Sequence, residues 1–174
     1  YYDDRVWPHA YSVNWGSVGS IPDVVDLVDG FWVLTGDGVR PLETGYDRLL
    51  ALGNPYMEYY EVEVPITIHG YDQNGTSGPP GVGVITRWVG HDEDGQQPHV
   101  TWWPLGGLGW ERNSALRIVA KGSSSAETEI ATAPKTIPFD VPHIFKMRVE
   151  PTSGGGPATS VSYTHLRAHE TTDN

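Results

Sequence analysis

The sequence predicts an all-β sandwich, and three observations lead to this fold class. Residues 58–69 alternate between apolar and polar side chains, the period-two pattern of a strand with one face in a core and one in water. Several shorter runs alternate in the same way, and 21 Gly and 14 Pro supply frequent turns between them. No stretch has a helical period of similar quality. We therefore expect about nine or ten strands and no long helix.

The first third of the chain is expected to lead into a hairpin. Residues 1–20 predict an irregular lead-in whose Trp side chains cover an open edge of the core. Residues 24–28 can begin a helix or a short strand, and their β-branched Val residues favour the strand. Residues 31–34 and 39–40 predict a hairpin, because Asp-Gly at 37–38 supplies the positive φ of a tight turn.

The remaining strands follow in the same manner. Residues 46–52 predict a strand that Gly53-Asn54-Pro55 turns into the long strand 58–69. Later strands are expected at 81–90, 99–105, 115–121, 127–131, 143–150 and 158–161. Polar residues at 70–80 and 91–98 predict loops, Gly106–Gly109 predicts a turn, and 134–142 predicts an extended segment.

Composition narrows the choice of partners. The formal net charge of −11 disfavours nucleic acid and anionic membrane surfaces, because an acidic chain repels both. The chain has no cysteine, which excludes disulfides and Cys-ligated zinc. No run approaches the ~20 apolar residues of a membrane helix, so we expect no membrane insertion.

The length predicts one domain, which we place at residues 1–160. The last segment, from Val161 onward, resembles a string found at the ends of unrelated metagenomic reading frames, where sequencing-adapter DNA was translated. That resemblance implies that residues 161–174 are a non-native tail. A genuine polar tail is the alternative.

Six motifs between about Gly30 and Ser160 carry a family resemblance. They are Gly30–Arg40, Tyr46–Leu50, Tyr60–Val64, Gly81–Trp88, Leu116–Val119 and Phe145–Val149. In this order they resemble a concanavalin A-like lectin/glucanase domain of the laminin-G-like jelly-roll kind. The resemblance implies two curved antiparallel sheets, often with a carbohydrate-binding concave face and a calcium ion. It also implies a place inside a larger extracellular protein with further domains. Fold alone does not settle function.

Glu61 and Glu63 are the candidate catalytic carboxylates. They share a strand face and lie ~6.6–6.8 Å apart along it, near the separation of glycosidase acid pairs. The glucanases of this fold carry three acids on one strand, and Pro65 and Ile66 stand here where the third would fall. We therefore predict no catalytic residue and interpret the pair as a solvated face or as acceptors for sugar hydroxyls.

The other candidate binding residues are aromatic or cationic. Their set, together with Glu61 and Glu63, comprises Tyr59, Arg87, His99, Trp103 and Arg117. An exposed indole such as that of Trp103 stacks on the apolar face of a pyranose, and Arg donates paired hydrogen bonds to hydroxyls or carboxylates. Core packing is the favoured interpretation for Trp88, Trp102 and Trp110, and it is the alternative for Trp103. For each Arg, the favoured interpretation is a surface ion pair with one of the many acids, and glycan binding is the alternative.

Asp92 and Asp94, in the loop His91–Gly95, are the candidate metal ligands. Oxygen-rich turns suit calcium, which takes six to eight oxygen ligands, and plain turn chemistry is the alternative. The sequence as a whole predicts a non-catalytic lectin-like module that binds glycans on the concave sheet of an extracellular bacterial protein. A structural or adhesive spacer and a degenerate glycan hydrolase or lyase are the two alternatives.

Overall fold

The computed structural model describes residues 10–43, 48–53, 57, 59–71, 81–86, 105–111, 115–121 and 127–149. Two short 3-10 turns, Trp15–Ser17 and Ile21–Asp23, precede the strands. The strands are β1 (Asp26–Asp29), β2 (Trp32–Leu34), β3 (Val39–Pro41), β4 (Leu49–Ala51), β5 (Tyr60–Thr67), β6 (Gly81–Thr86), β7 (Leu105–Glu111), β8 (Ala115–Lys121), β9 (Glu127–Pro134) and β10 (Pro142–Val149). No helix in these ranges is long and apolar enough to cross a membrane.

The described strands pair in four small antiparallel sheets. β1 pairs with β4, β2 with β3, and β5 with β10, while β6, β7, β8 and β9 form a sheet in that order. The all-β prediction is confirmed. The jelly-roll connection of two large sheets stays a prediction.

The chain divides into two compact units. The first comprises Tyr1–Asn54 with Asn74–Ser77, and the second comprises Pro55–Gln73 with Gly78–Asn174. β1 to β4 belong to the first unit, and β5 to β10 belong to the second.

The predicted hairpin forms in the first unit, although its turn differs from the expectation. Leu34 pairs with Val39, and the Thr35 N–H donates to the Gly38 carbonyl at 2.8 Å. Gly38 does not have the positive φ that the Asp-Gly signal predicted, since the described residues with positive φ are Gly30, Gly53, Gly70 and Asp140. A four-residue loop explains the difference, because such loops are built most often on turns with negative φ.

Gly30 is a position in the first unit that requires glycine. Its φ is +82°, and a Cβ placed there would lie 2.2 Å from Cδ of Arg48. A side chain would therefore be strained by the backbone and would clash with Arg48.

The core of the second unit lies between its two sheets. Ile68, Trp110, Ile137, Phe145 and Met147 are buried there. Partly buried residues of β5, β6 and β8 pack against them, namely Val62, Ile66, Val82, Val84, Leu116 and Ile118, together with Tyr71. Side chains from both sheets thus share one apolar layer, which gives this unit a β-sandwich-like character.

Alternation predicted the buried face of β5 correctly, and β10 alternates in the same way. In β10, Phe145, Met147 and Val149 are at most 1% exposed, while Lys146 and Arg148 point outward. β5 is two residues shorter at each end than the predicted strand 58–69.

Gly106–Gly109, predicted as a turn, lie inside β7 instead. Glycine suits this strand because a Cβ at Gly107 would lie 3.3 Å from a methyl group of Val119 on β8. The same strand buries Trp110, whose indole N–H donates to the Lys135 carbonyl at 3.1 Å. Core packing is therefore the role of Trp110.

β9 forms one side of the four-stranded sheet and lies outside the core. All residues from Thr128 to Thr136 are exposed, and the described residues show no strand on the far side of β9. The pairing of β8 with β9 contains an irregularity between Ile118 and Val119, where Ile130 is passed over. A bulge of this kind bends an edge strand and interrupts its regular pattern.

His143 and Thr86 are the two buried polar residues among the described residues of the second unit. His143 is 4% exposed, and neither ring nitrogen has a hydrogen-bond partner of good geometry. Burial lowers the pKa of His143, the charge of Lys135 lowers it further, and the backbone carbonyl of Pro138 opposes both effects. The ring is therefore neutral in the folded protein near neutral pH.

We expect His143 to make folding sensitive to acid. Its folded pKa lies below the ordinary value of 6.5, so the unfolded chain binds the proton more readily, and stability falls as the pH drops below about 6.5. His143→Leu removes the proton site and two unpartnered polar atoms, and should raise the free energy of unfolding by ~1 kcal/mol or more at pH 7. Urea unfolding at pH 5 and pH 7.5 measures both effects. If the variant loses as much stability as the unaltered protein between pH 7.5 and pH 5, His143 is not the cause of the acid sensitivity.

Candidate functional site

The candidate site lies on the exposed face of the sheet formed by β5 and β10. Register places Glu61 opposite Arg148 and Glu63 opposite Lys146. The alternate residues of both strands pack into the core. These four charged side chains therefore lie on the opposite, outer face of the sheet. We call them the charge cluster.

Glu61 is the centre of the charge cluster. Its Oε1 lies 2.7 Å from Lys146 Nζ, and its Oε2 accepts hydrogen bonds from Arg148 Nη2 at 3.0 Å and Arg148 Nε at 3.2 Å. Lys146 Nζ also lies 3.4 Å from Glu63 Oε2, so one ammonium group bridges the two carboxylates. Each carboxylate thus has a cation beside it, which limits their mutual repulsion.

These contacts shift two pKa values in opposite directions. The hydrogen bond from Lys146, followed by that from Arg148, lowers the pKa of Glu61 below its ordinary 4.5. The hydrogen bond to Glu61 raises the pKa of Lys146 above its ordinary 10.5, although partial desolvation opposes that change. Both groups are therefore charged throughout the neutral range. A glycosidase acid needs the reverse shift, a raised carboxyl pKa, so Glu61 is unsuited to that role.

An open depression adjoins the charge cluster. Its volume is about 320 Å³, and its lining consists of Tyr59, Tyr60, Glu61, Arg148 and Val149. Tyr59 is 65% exposed, so its ring is available beside the carboxylate and the guanidinium. An aromatic face next to hydrogen-bond donors and acceptors is a combination that can bind a sugar ring.

The structure brings together three of the predicted site residues, Tyr59, Glu61 and Glu63. Arg117 lies instead on β8 of the four-stranded sheet, where its Nε donates to Glu129 Oε2 at 2.7 Å. This contact is the kind of surface ion pair that the sequence favoured for Arg117. The predicted binding residues Arg87, His99 and Trp103 and the predicted metal ligands Asp92 and Asp94 lie outside the described residues.

Sequence reasoning missed Lys146 and Arg148 as members of the site. Both alternate with apolar residues in 143–150, a pattern that directs them to the outer face of that strand, but nothing in the sequence indicated which strand would lie beside it. The opposite charge patterns of 61–63 and 146–148 were the available signal, because facing strands favour opposite-charge pairs.

We expect the charge cluster to stabilise the second unit between two pH limits. Because the folded pKa of Glu61 is lowered, its contribution is complete above about 4.5 and is lost as the pH falls through the folded pKa. Because the folded pKa of Lys146 is raised, its contribution is complete below about 10.5 and is lost as the pH rises further.

Glu61→Gln should therefore lower the melting temperature at pH 7 and flatten its fall below pH 4.5. Glu63→Gln, which leaves both contacts of Glu61 intact, should have the smaller effect and is the matched control. Calorimetric melting from pH 3 to pH 7 at low salt provides the comparison. Equal effects of the two substitutions would contradict the central position of Glu61.

Comparison with protein-family models, with curated proteins and with solved structures found no match for this chain.

Proposed function

We propose that this chain is a non-catalytic, lectin-like module of an extracellular bacterial protein that binds carbohydrate on the exposed face of β5 and β10. The observation that carries the proposal is the open depression in which the exposed Tyr59 ring adjoins Glu61 and Arg148. The sandwich-like packing of the second unit supports the resemblance to concanavalin A-like jelly-roll domains. In this proposal calcium and further domains of a larger parent chain are accessory features.

Each part of the depression has a counterpart in the chemistry of a sugar ring. The apolar face of a pyranose stacks on an aromatic ring such as that of Tyr59. Adjacent hydroxyl groups both donate and accept, and Glu61 supplies acceptors next to the donors of Arg148. The site is shallow, so binding is weak and suits repeated or multivalent contacts.

The charge balance favours a neutral glycan. Within the charge cluster the two carboxylates are matched by two cations, and both cations are already engaged with Glu61. A uronate or sulfate group would compete with Glu61 for the same donors and would meet the negative charge of Glu63. An acidic chain with a formal charge of −11 adds to that repulsion.

A spacer role and a hydrolase role remain as competing functions with different signatures. A spacer of the same fold has no affinity for any glycan. A hydrolase requires a carboxyl group that is protonated near neutral pH, and the ion pairs of Glu61 hold that carboxyl in its charged form. The contacts of Glu61 therefore favour a role as a hydrogen-bond acceptor for a ligand over a role as the catalytic acid.

Affinity electrophoresis in gels containing β-glucan, xylan, mannan or polygalacturonate tests this function. We expect retardation by a neutral polysaccharide, and a loss of affinity of about tenfold in Tyr59→Ala, the equivalent of a lost ring-stacking contact. Phe31→Ala is the matched control, since Phe31 is 69% exposed and belongs to the other unit. Each gel is run with calcium and with chelator.

Three results would count against the proposal. Migration unaffected by every polysaccharide would favour the spacer. Equal losses in Tyr59→Ala and Phe31→Ala would remove the depression as the binding site. Reducing-sugar release that disappears in both Glu61→Gln and Glu63→Gln would favour the hydrolase.

A further inference from the structure

The exposed face of β5 continues well beyond the charge cluster. Odd-numbered residues from Tyr59 to His69 are all exposed, and each of those within β5 has a partner on β10. Starting from Glu61, the paired positions are Glu61 with Arg148, Glu63 with Lys146, Pro65 with Ile144, and Thr67 with Pro142. We call this face, extended to His69 and Asp140, the β5 ribbon.

A second polar pair lies at the end of the ribbon that is farther from Tyr59. His69 Nδ1 lies 2.7 Å from Asp140 Oδ1, and the two side chains are 64% and 72% exposed. The Asp140 N–H donates to the Ile68 carbonyl at 2.9 Å, just beyond the last register pair of β5 with β10, which is Thr67 with Pro142. The pair thus joins the segment after β5 to the turn before β10, although 71 residues separate its members in the chain.

Asp140 holds this position in a backbone conformation that few residues adopt. Its φ is +61°, in the left-handed region, and among the described residues it is the one non-glycine with positive φ. Asp and Asn tolerate this region better than other L-residues do. The left-handed turn directs the chain into β10 and places the carboxylate beside His69.

The chemistry of the pair resembles that of the depression at the other end. A carboxylate accepts hydrogen bonds only, so His69 donates through Nδ1 and, in its neutral form, presents Nε2 as an acceptor. Phe139, next in the chain, is 43% exposed and packs edge-on against Tyr71 with ring centroids 5.8 Å apart. Polar groups and an exposed aromatic ring therefore occur together here as well.

We propose that the β5 ribbon binds a linear neutral glycan along its length, with the Tyr59 depression and the His69–Asp140 pair as two separate contact points. Tyr59 and His69 are ten residue steps apart, which at the rise of a strand corresponds to a separation of at most about 33 Å. Between the charge cluster and the pair, Pro65, Ile144 and Pro142 offer a low apolar surface that a chain of sugars can cross. The inference rests on the proposed function and adds that the ligand is a polymer contacted at both ends of the ribbon.

Oligosaccharides of increasing length distinguish one contact point from two. The probes are two-unit to eight-unit oligomers of the polysaccharide that is retained most strongly in the gels, measured by titration calorimetry. We expect the longest oligomer to bind at least tenfold more tightly than the shortest. His69→Ala should remove about tenfold from the affinity of the longest oligomer, the equivalent of one hydrogen bond to a charged pair, and leave the shortest unchanged.

Two further variants separate loss of the contact from loss of the fold. Asp140→Asn keeps a residue that tolerates positive φ and removes the charge, so it should weaken the longest oligomer without unfolding the end of β10. Thr136→Ala alters an exposed residue of the same segment away from the ribbon and is the matched control. Thermal melting confirms that all variants are folded.

The possible outcomes separate this inference from the proposed function. Equal affinity for short and long oligomers would contradict the second contact point and leave the Tyr59 site as the binding site. The same conclusion would follow if His69→Ala and Asp140→Asn both kept the affinities of the unaltered protein for every oligomer. Failure of every polysaccharide and oligomer to bind overturns both.

Discussion

The antiparallel register of β5 with β10 is the constraint on which the second unit depends. One alignment places Phe145 and Met147 in the core and, on the opposite face, Glu61 beside Arg148. A slip of one residue would bring every buried side chain to the surface and carry Lys146 and Arg148 into an apolar layer. The hydrophobic pattern and the ion pairs therefore specify the same alignment from the two sides of the sheet. The site and the core are consequences of one pairing.

Periodicity was sufficient to predict which face β5 buries, and it failed where the structure depends on partners. β5 and β10 have strong alternation because one face of each is covered. Gly106–Gly109 was predicted as a turn because glycine usually marks one. In β7 those glycines instead accommodate close neighbours such as Val119, and only the pairing of β7 with β8 reveals that need. The hairpin at 34–39 was predicted correctly on a wrong premise about φ.

The candidate site was predictable in part for the same reason. Tyr59, Glu61 and Glu63 follow one another on one strand, so a period of two is enough to bring them together. Lys146 and His69 acquire their roles from residues 83 and 71 positions away, and no local pattern encodes a contact over such separations. Arg117 shows the converse, because an outward cation in an acidic chain has many possible partners, and the fold brings Glu129 of the adjacent strand beside it. The sequence shows which side chains are charged, but only the folded structure shows which of them pair.

The position of β9 outside the core has a consequence for how the second unit moves. β6, β7 and β8 contribute side chains to the apolar layer, whereas β9 is joined to the sheet by its backbone hydrogen bonds to β8 and by the pair Arg117–Glu129. Detaching β9 would expose little additional apolar surface, so its local opening costs far less free energy than global unfolding. The rigidity of the sheet therefore decreases toward β9. We expect hydrogen exchange to be fastest for the amides of β9 and slowest for those beside Trp110. Slow fluctuations of this unit are expected to begin at β9 and to leave the β5 ribbon, on the other sheet, undisturbed.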